Sequence, residues 1–271
     1  MSKEINVKKW DETKEPYNRE KVIRTLRRYG LNNSQIDDVL AKVEARHYDG
    51  ITTMMLHSFI KEEIDKSQHQ VRRSDLREAL AMMRPAPDFE RYVQELFRGL
   101  GYKVTSNKII QGYCVTHEID GVAVKDGKQY YIETKHHSKL HNRTPFIDSL
   151  AVKAKLDDIR HGYAEGKNHY DFDKAILICN TKMTKHAEKY SSCVDIDHIG
   201  WNMPRGRGID ELIEESRVFP YTVIPKLSRN EIRMLSSLGV VTVQDILDKN
   251  ISGIEKGRTR TIKDLAQRIM D

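Results

Sequence analysis

Lys125-Asp126-Gly127-Lys128 lies between two runs rich in Val, Tyr and Ile, residues 121–124 and 129–132. An Asp-Gly pair in that setting specifies a two-residue hairpin loop, whose positive φ angles Asp and Gly tolerate. Such a loop fixes the register of the two strands. Val124 then faces Gln129, Val122 faces Tyr131, Asp120 faces Glu133, and Glu118 faces Lys135. Because side chains alternate along a strand, all of these belong to one face. Two opposed carboxylates have Cβ atoms about 4.5–5.5 Å apart. At an effective dielectric of about 20 they repel by roughly 3 kcal/mol. A sequence selected for stability alone would avoid this. A divalent cation between the acids reverses the sign, and two hard oxygen donors plus water suit Mg²⁺ or Mn²⁺. Lys135, on the same face, could position an attacking water or stabilise charge on a pentacovalent phosphorus. The competing reading is a wet, mixed-charge hairpin face on which Lys135 pairs with Glu118.

The pattern on either side of the hairpin predicts an α/β layer. Phe89, Val93, Leu96 and Leu100 form the apolar stripe of a helix, with Asp88 as its N-cap and Gly101 at its end. Three strand candidates follow. Thr144-Pro145 opens a long helix, "KAILICN" is a buried strand, and helix, strand, helix complete the order, which implies a mixed sheet flanked by helices. Upstream, helical spacing recurs at Val22, Ile23 and Leu26, at Ile36, Val39, Leu40 and Val43, at Leu56, Ile60 and Ile64, and at Leu76, Leu80 and Met83. A strand is expected around residues 5–9. Pro85 and Pro87 break this mostly helical unit and set a domain boundary. Downstream, Ser228 to Glu231 reads as a capping box ahead of two further helical segments. The expected domains are 1–85, 86–216 and 217–271.

Composition narrows the setting. No run of about 18 apolar residues occurs, so no membrane span is expected. The polar N-terminus and three sparse cysteines, Cys114, Cys179 and Cys193, fit a cytoplasmic protein without disulfides or a zinc site. The net charge of +6 is concentrated toward the two ends, a hint of polyanion partners.

Asp120 followed by Glu133-Thr134-Lys135, behind a helix carrying an acid, resembles the PD-(D/E)xK nuclease fold, and within it the Mrr-like restriction endonucleases. The resemblance covers about residues 88–202, including "DFERYVQELFRGLGYKV" and "KAILICNTKMTKHAEKY". It implies that Asp120 and Glu133 ligate metal, that Lys135 assists catalysis, and that Glu90 is the helix acid, with Glu95 as its alternate. It also implies phosphodiester hydrolysis with Mg²⁺ or Mn²⁺. His136, His137 and His141 read as phosphate contacts or plain surface.

"VKKWDETKEPYNREKV" and "YDGITT" resemble the ATP-cone, a nucleotide-binding regulatory domain, over about residues 3–84. The family's opening run corresponds to Val7 through Glu12, with Trp10 in place of a basic residue and Glu12 in place of a glycine. Lys9, Glu15, Asn18, Lys21 and Thr53 stand where the family contacts nucleotide, which implies ATP or dATP as an effector. From the residues alone, Lys9 and Lys21 offer two cations to a triphosphate, and the helix start at Asn18 adds amide donors. "LSSLGVVTVQDIL" resembles a helix-hairpin-helix module, which binds DNA backbone phosphate; packing or dimer contact is the alternative. Together these imply a metal-dependent DNA endonuclease regulated by nucleotide, acting as a homodimer or higher homo-oligomer. Two rivals stay open: a nucleotide-responsive DNA-binding regulator that does not cut, and an RNA-processing nuclease.

Overall fold

The structure is a computed structural model that describes residues 5–9, 12–66 and 74–271. Trp10 and Asp11, part of the expected nucleotide-binding run, lie outside the described residues. The chain forms two compact units, Met1–Leu76 and Arg77–Asp271. The division falls ahead of the proline-rich stretch that marked it in sequence. Residues 217–271 belong to the same compact unit as the sheet.

The first unit contains β1 (Asn6–Lys8), β2 (Lys14–Pro16), α1 (Arg19–Arg28), α2 (Asn33–Arg46), β3 (Ile51–Thr52) and α3 (Thr53–Lys66). Its sheet has the order β2-β1-β3, with Val7 antiparallel to Glu15 and parallel to Ile51. All three strands are short; β1 falls where a strand was expected, and β2, with Lys14, Glu15 and Pro16, carries no apolar β-former to signal it. The side chain of Asn18 caps α1 by accepting from the Lys21 amide at 3.1 Å. Asn32 and Gln35 form a reciprocal capping box on α2. The apolar stripes of the three helices close over Val7 and Ile51.

The second unit runs α4 (Leu76–Met82), α5 (Glu90–Gly99), β4 (Lys103–Gln111), β5 (Thr116–Lys125), β6 (Lys128–Lys135), β7 (Arg143–Thr144), α6 (Phe146–Ala164), β8 (Lys174–Cys179), β9 (Lys182–Met183), α7 (Lys185–Ser191), β10 (Ile196–Ile199), α8 (Ile209–Ser216), α9 (Arg229–Ser237), α10 (Val243–Asp248) and α11 (Lys256–Met270). The central sheet has the order β10-β8-β6-β5-β4. β4, β5 and β6 are antiparallel neighbours, whereas β6, β8 and β10 run parallel. This is the mixed sheet flanked by helices that the element order implied. Val152, Leu156 and Ile159 of α6 pack on Val122, Tyr131, Ala175 and Leu177. α5 buries Tyr92, Val93, Leu96 and Phe97.

One expected cap is corrected. Asp88 does not cap α5; it is buried and pairs with Arg84 at 3.1–3.2 Å, because a helical turn at Pro85–Phe89 carries it back over that guanidinium. The capping box at Ser228 and the chain reversal at Gly101, φ 85°, form as read. Thr222 donates to the Ala79 carbonyl at 2.7 Å, and Arg258 pairs with Glu231 at 2.5 Å. These bonds tie the C-terminal helices to each other and to α4.

Candidate active site

The Asp126-Gly127 loop has positive φ at both positions, 52° and 76°, and sets the expected register from Lys125↔Lys128 to Gly121↔Ile132. The recorded pairing stops there, one position short of Asp120 and Glu133. The Asp120 carbonyl accepts from Gln94 Nε2 at 2.7 Å, and Asp120 Oδ2 accepts from the Thr134 amide at 2.7 Å and its hydroxyl at 2.8 Å. β5 remains paired with β4 through this stretch. Asp120 has therefore turned toward Thr134 instead of squaring up to Glu133. The two carboxylates accept from separate donors.

Glu133 is 7% exposed, a rare place for a carboxylate. Its Oε1 accepts from Lys135 at 2.7 Å; its Oε2 accepts from Lys155 at 2.9 Å and from the Tyr131 hydroxyl at 3.2 Å. The alternative pairing of Lys135 with Glu118 does not form. Glu118 is exposed, and its carbonyl accepts from Lys155 at 3.1 Å.

The acids respond to these surroundings differently. Burial and then the charge of Glu133 push Asp120 above the usual carboxylate range, against the bonds from Thr134. Glu90 is also raised, by burial and then by Asp120, with Glu118 and Glu133 adding to it. Burial pushes Glu133 up too, but Lys135 and Lys155 outweigh it and the net direction is down. Glu90 thus shares an electrostatic neighbourhood with Asp120 and Glu133. Glu95, its alternate, pairs with Arg98 at 2.5 Å.

Among the described residues, no three His, Cys, Asp or Glu side chains are grouped closely enough to hold a metal ion. The donor chemistry nonetheless suits a hard cation. Asp120 raises the pKa of Glu90, and Glu133 raises that of Asp120, so added positive charge there relieves repulsion. Asp120 Oδ1 has no hydrogen-bond partner among the described residues, and Glu90 is held only through Oε2, by Asn107 at 3.3 Å.

Three neighbouring residues escaped sequence reasoning. Gln94 is 2% exposed and bonds Asn107, Ser106 and the Asp120 carbonyl. A polar residue beside Val93 on an apolar stripe was the available signal. Lys155 borders the buried stripe of α6. Asp148, in the first turn of α6, is raised by burial against the pull of Lys135 and His137.

The histidines serve the scaffold. His136 Nε2 lies 2.9 Å from the Leu80 carbonyl and its ring packs on Phe89. His137 lies 3.1 Å from the Thr144 hydroxyl, and its backbone exchanges two hydrogen bonds with Asn180. Burial pushes both imidazoles below their usual range. His141 is exposed.

In the first unit the structure gathers most of the expected nucleotide contacts. Glu15 pairs with Lys9 at 2.5 Å and Lys21 at 2.7 Å, beside the Asn18 cap. Thr53 reaches the Lys8 carbonyl at 3.4 Å, whereas Val7 lies in the core. At the proposed helix-hairpin-helix turn, the Val241 and Thr242 amides both donate to Asp245 at 2.9 Å. Those two donors are thereby taken by a carboxylate of the chain itself.

A restriction endonuclease family, Mrr_cat, matches residues 80–197. An uncharacterized protein from Archaeoglobus fulgidus is 32% identical over 159 residues, 58% of this chain and 83% of that protein. The crystal structure of a protein of unknown function, AF1548, superposes with a TM-score of 0.55 at 28% identity, covering 67% of this chain and 96% of the other. The structure of Can2 from Sulfobacillus thermosulfidooxidans, in complex with cyclic tetra-adenylate, gives a TM-score of 0.34 at 14% identity over 73% and 53%, too slight to carry an argument. The chain belongs to one family with the A. fulgidus protein, and its residues 80–197 are a restriction endonuclease domain of the Mrr_cat type. Such a domain is that of a nuclease, a hydrolase whose substrate is nucleic acid, and domains of this kind generally use Mg²⁺ or Mn²⁺.

Proposed function

We propose that this chain is a metal-dependent DNA endonuclease whose activity responds to ATP or dATP bound by its first unit. The observation that carries the nuclease reading is Asp120, Glu133 and Lys135 meeting where the β5–β6 pairing opens, inside the matched domain. Asp120 and Glu133 would hold the ion, with Glu90 completing the set from α5. A bound divalent ion supplies an acidified water and neutralises the leaving oxygen. Gln94 fixes the backbone at Asp120, and Thr134 orients its carboxylate through Oδ2, which would leave Oδ1 available to an ion. Lys135, held above the usual ammonium range by Glu133 and Asp148 against burial, stays charged at neutral pH and would meet the phosphate once released from Glu133. Support for the regulatory half is the convergence of Lys9 and Lys21 on Glu15, with Asn18 capping the helix that carries Lys21; a triphosphate would replace the glutamate as counter-ion.

The test is cleavage of supercoiled plasmid with Mg²⁺ or Mn²⁺, with and without ATP and dATP. Metal-dependent nicking that nucleotide alters supports both halves. Binding without cleavage across both metals and both nucleotides removes the nuclease half, and cleavage indifferent to nucleotide removes the regulatory half.

A further inference from the structure

We infer that Lys155 is a positioning residue for Glu133, and that it keeps its hold on that carboxylate when a divalent cation enters, while Lys135 lets go. This deepens the nuclease reading and rests on it for the chemistry.

The argument begins with charge. A buried carboxylate needs one counter-ion, and Glu133 has two, from different elements. A cation arriving at Glu133 must compete with both, and at least one ammonium must yield an oxygen. The two lysines are not equally committed. Lys135 bonds one acceptor, Glu133 Oε1. Lys155 bonds two, Glu133 Oε2 and the Glu118 carbonyl, and so links β6 to β5 beyond the last paired residues, Gly121 and Ile132. It does there what a strand-to-strand hydrogen bond would have done. Displacing Lys155 would break two bonds and loosen the seam that carries Asp120. Displacing Lys135 breaks one and turns its ammonium outward to a phosphate. Tyr131, on the same face as Glu133, donates to Oε2 as well, so that oxygen is the one the scaffold retains and Oε1 is the one surrendered.

Two signs follow, and they oppose each other. Lys155 lies close enough to the ion site to repel a cation, so its loss strengthens metal binding. It also fixes the orientation of a metal-binding carboxylate, so its loss slows the reaction; removing such a support typically costs about 10–100-fold. A residue that merely braces the fold would weaken both.

The experiment measures Mn²⁺ binding to the full chain by titration calorimetry without nucleic acid, and cleavage rate at saturating Mn²⁺. Lys155→Met is expected to bind Mn²⁺ severalfold more tightly and to cleave at least about tenfold more slowly. Lys155→Arg, which can span the same two acceptors, should restore both toward the parent. Weaker Mn²⁺ binding with a lowered unfolding temperature, no change in either quantity, or a parent that binds no Mn²⁺ would each overturn the inference. A parent that binds Mn²⁺ but cuts nothing defeats the endonuclease reading alone, and the binding comparison still decides the place of Lys155.

Discussion

Glu15 and Glu133 are each held by a pair of lysines, at 2.5 and 2.7 Å in the first unit and at 2.7 and 2.9 Å in the second. On paper the two clamps are the same. Their surroundings differ. The Glu15 side chain is 31% exposed and its lysines more so, whereas that of Glu133 is 10% exposed beneath α6. Water and salt compete with the first clamp, which is worth at most about 1 kcal/mol. In the second, desolvating a carboxylate costs several kcal/mol that the lysines must offset. A clamp of the exposed kind can open for a ligand at little cost. A clamp of the buried kind gives up its charge only at a high cost, and this difference supports the proposal that Glu133, and not Glu15, belongs to the reaction centre.

The sharpest way to break this contrast is to neutralise the acid of the second clamp or its neighbour Asp120. Glu133→Gln or Asp120→Asn should lower plasmid cleavage by about a thousandfold or more, the scale on which a central charged group of a catalytic unit is missed. If Asp120→Asn cuts as well as the parent, the site has been misplaced.

Stability sharpens it next. Glu133→Ala leaves Lys135 and Lys155 without their counter-ion and should cost about 3 kcal/mol. Glu15→Ala should cost less than about 1 kcal/mol. Trp201 is buried in the second unit, so its fluorescence in a Trp10→Phe background can follow urea unfolding of that unit for Glu133→Ala. Equal losses for the two alanine variants would erase the distinction.

A smaller effect comes from the strand that carries Asp120. Gln94→Leu strips a buried amide that holds the Asp120 carbonyl, Asn107 and Ser106. Leaving those groups short of a partner should cost about 1–3 kcal/mol. Cleavage should fall about 10–100-fold through misorientation of Asp120. Cleavage at the parental rate would show that Thr134 alone sets that carboxylate.

How far the sequence could reach is visible in the same hairpin. The turn end was legible because Asp126-Gly127 is a local signal, and the register follows from it. The open end was not. Where β5 and β6 part depends on Gln94 from α5 and Lys155 from α6, contacts made across long stretches of chain. Alternation therefore predicted Asp120 squarely opposite Glu133, and tertiary bonding turned it aside. Asp88 failed as a cap for a local reason: the turn at Pro85–Phe89 brings it onto the guanidinium of Arg84, four residues earlier. β2 left no trace because Lys14, Glu15 and Pro16 include no apolar β-former, and β3 because two residues do not make a period. Glu90 was legible as an acid on the first helix, but only its electrostatic coupling to Asp120 separates it from Glu95.

The smallest effect expected is a dependence on salt that only one clamp shows. Burial raises the Glu15 carboxyl, but hydrogen bonds and charge from Lys21 and Lys9 outweigh it and the net direction is down. A carboxylate lowered on folding contributes stability that is complete above its unfolded value, near about 4.3. That contribution disappears as pH falls through the folded value. Glu133 is lowered in the same direction, so acid alone does not tell the two apart. Salt does. At about 1 M the screening length is roughly 3 Å, enough to mute an exposed pair and much less so a buried one. The stability difference between parent and Glu15→Gln, measured near neutral pH, should vanish at that salt concentration, while the difference for Glu133→Gln should persist. A Glu15 difference that survives high salt would mean that its clamp is sheltered after all, and that the first unit, too, holds a charge it cannot easily release.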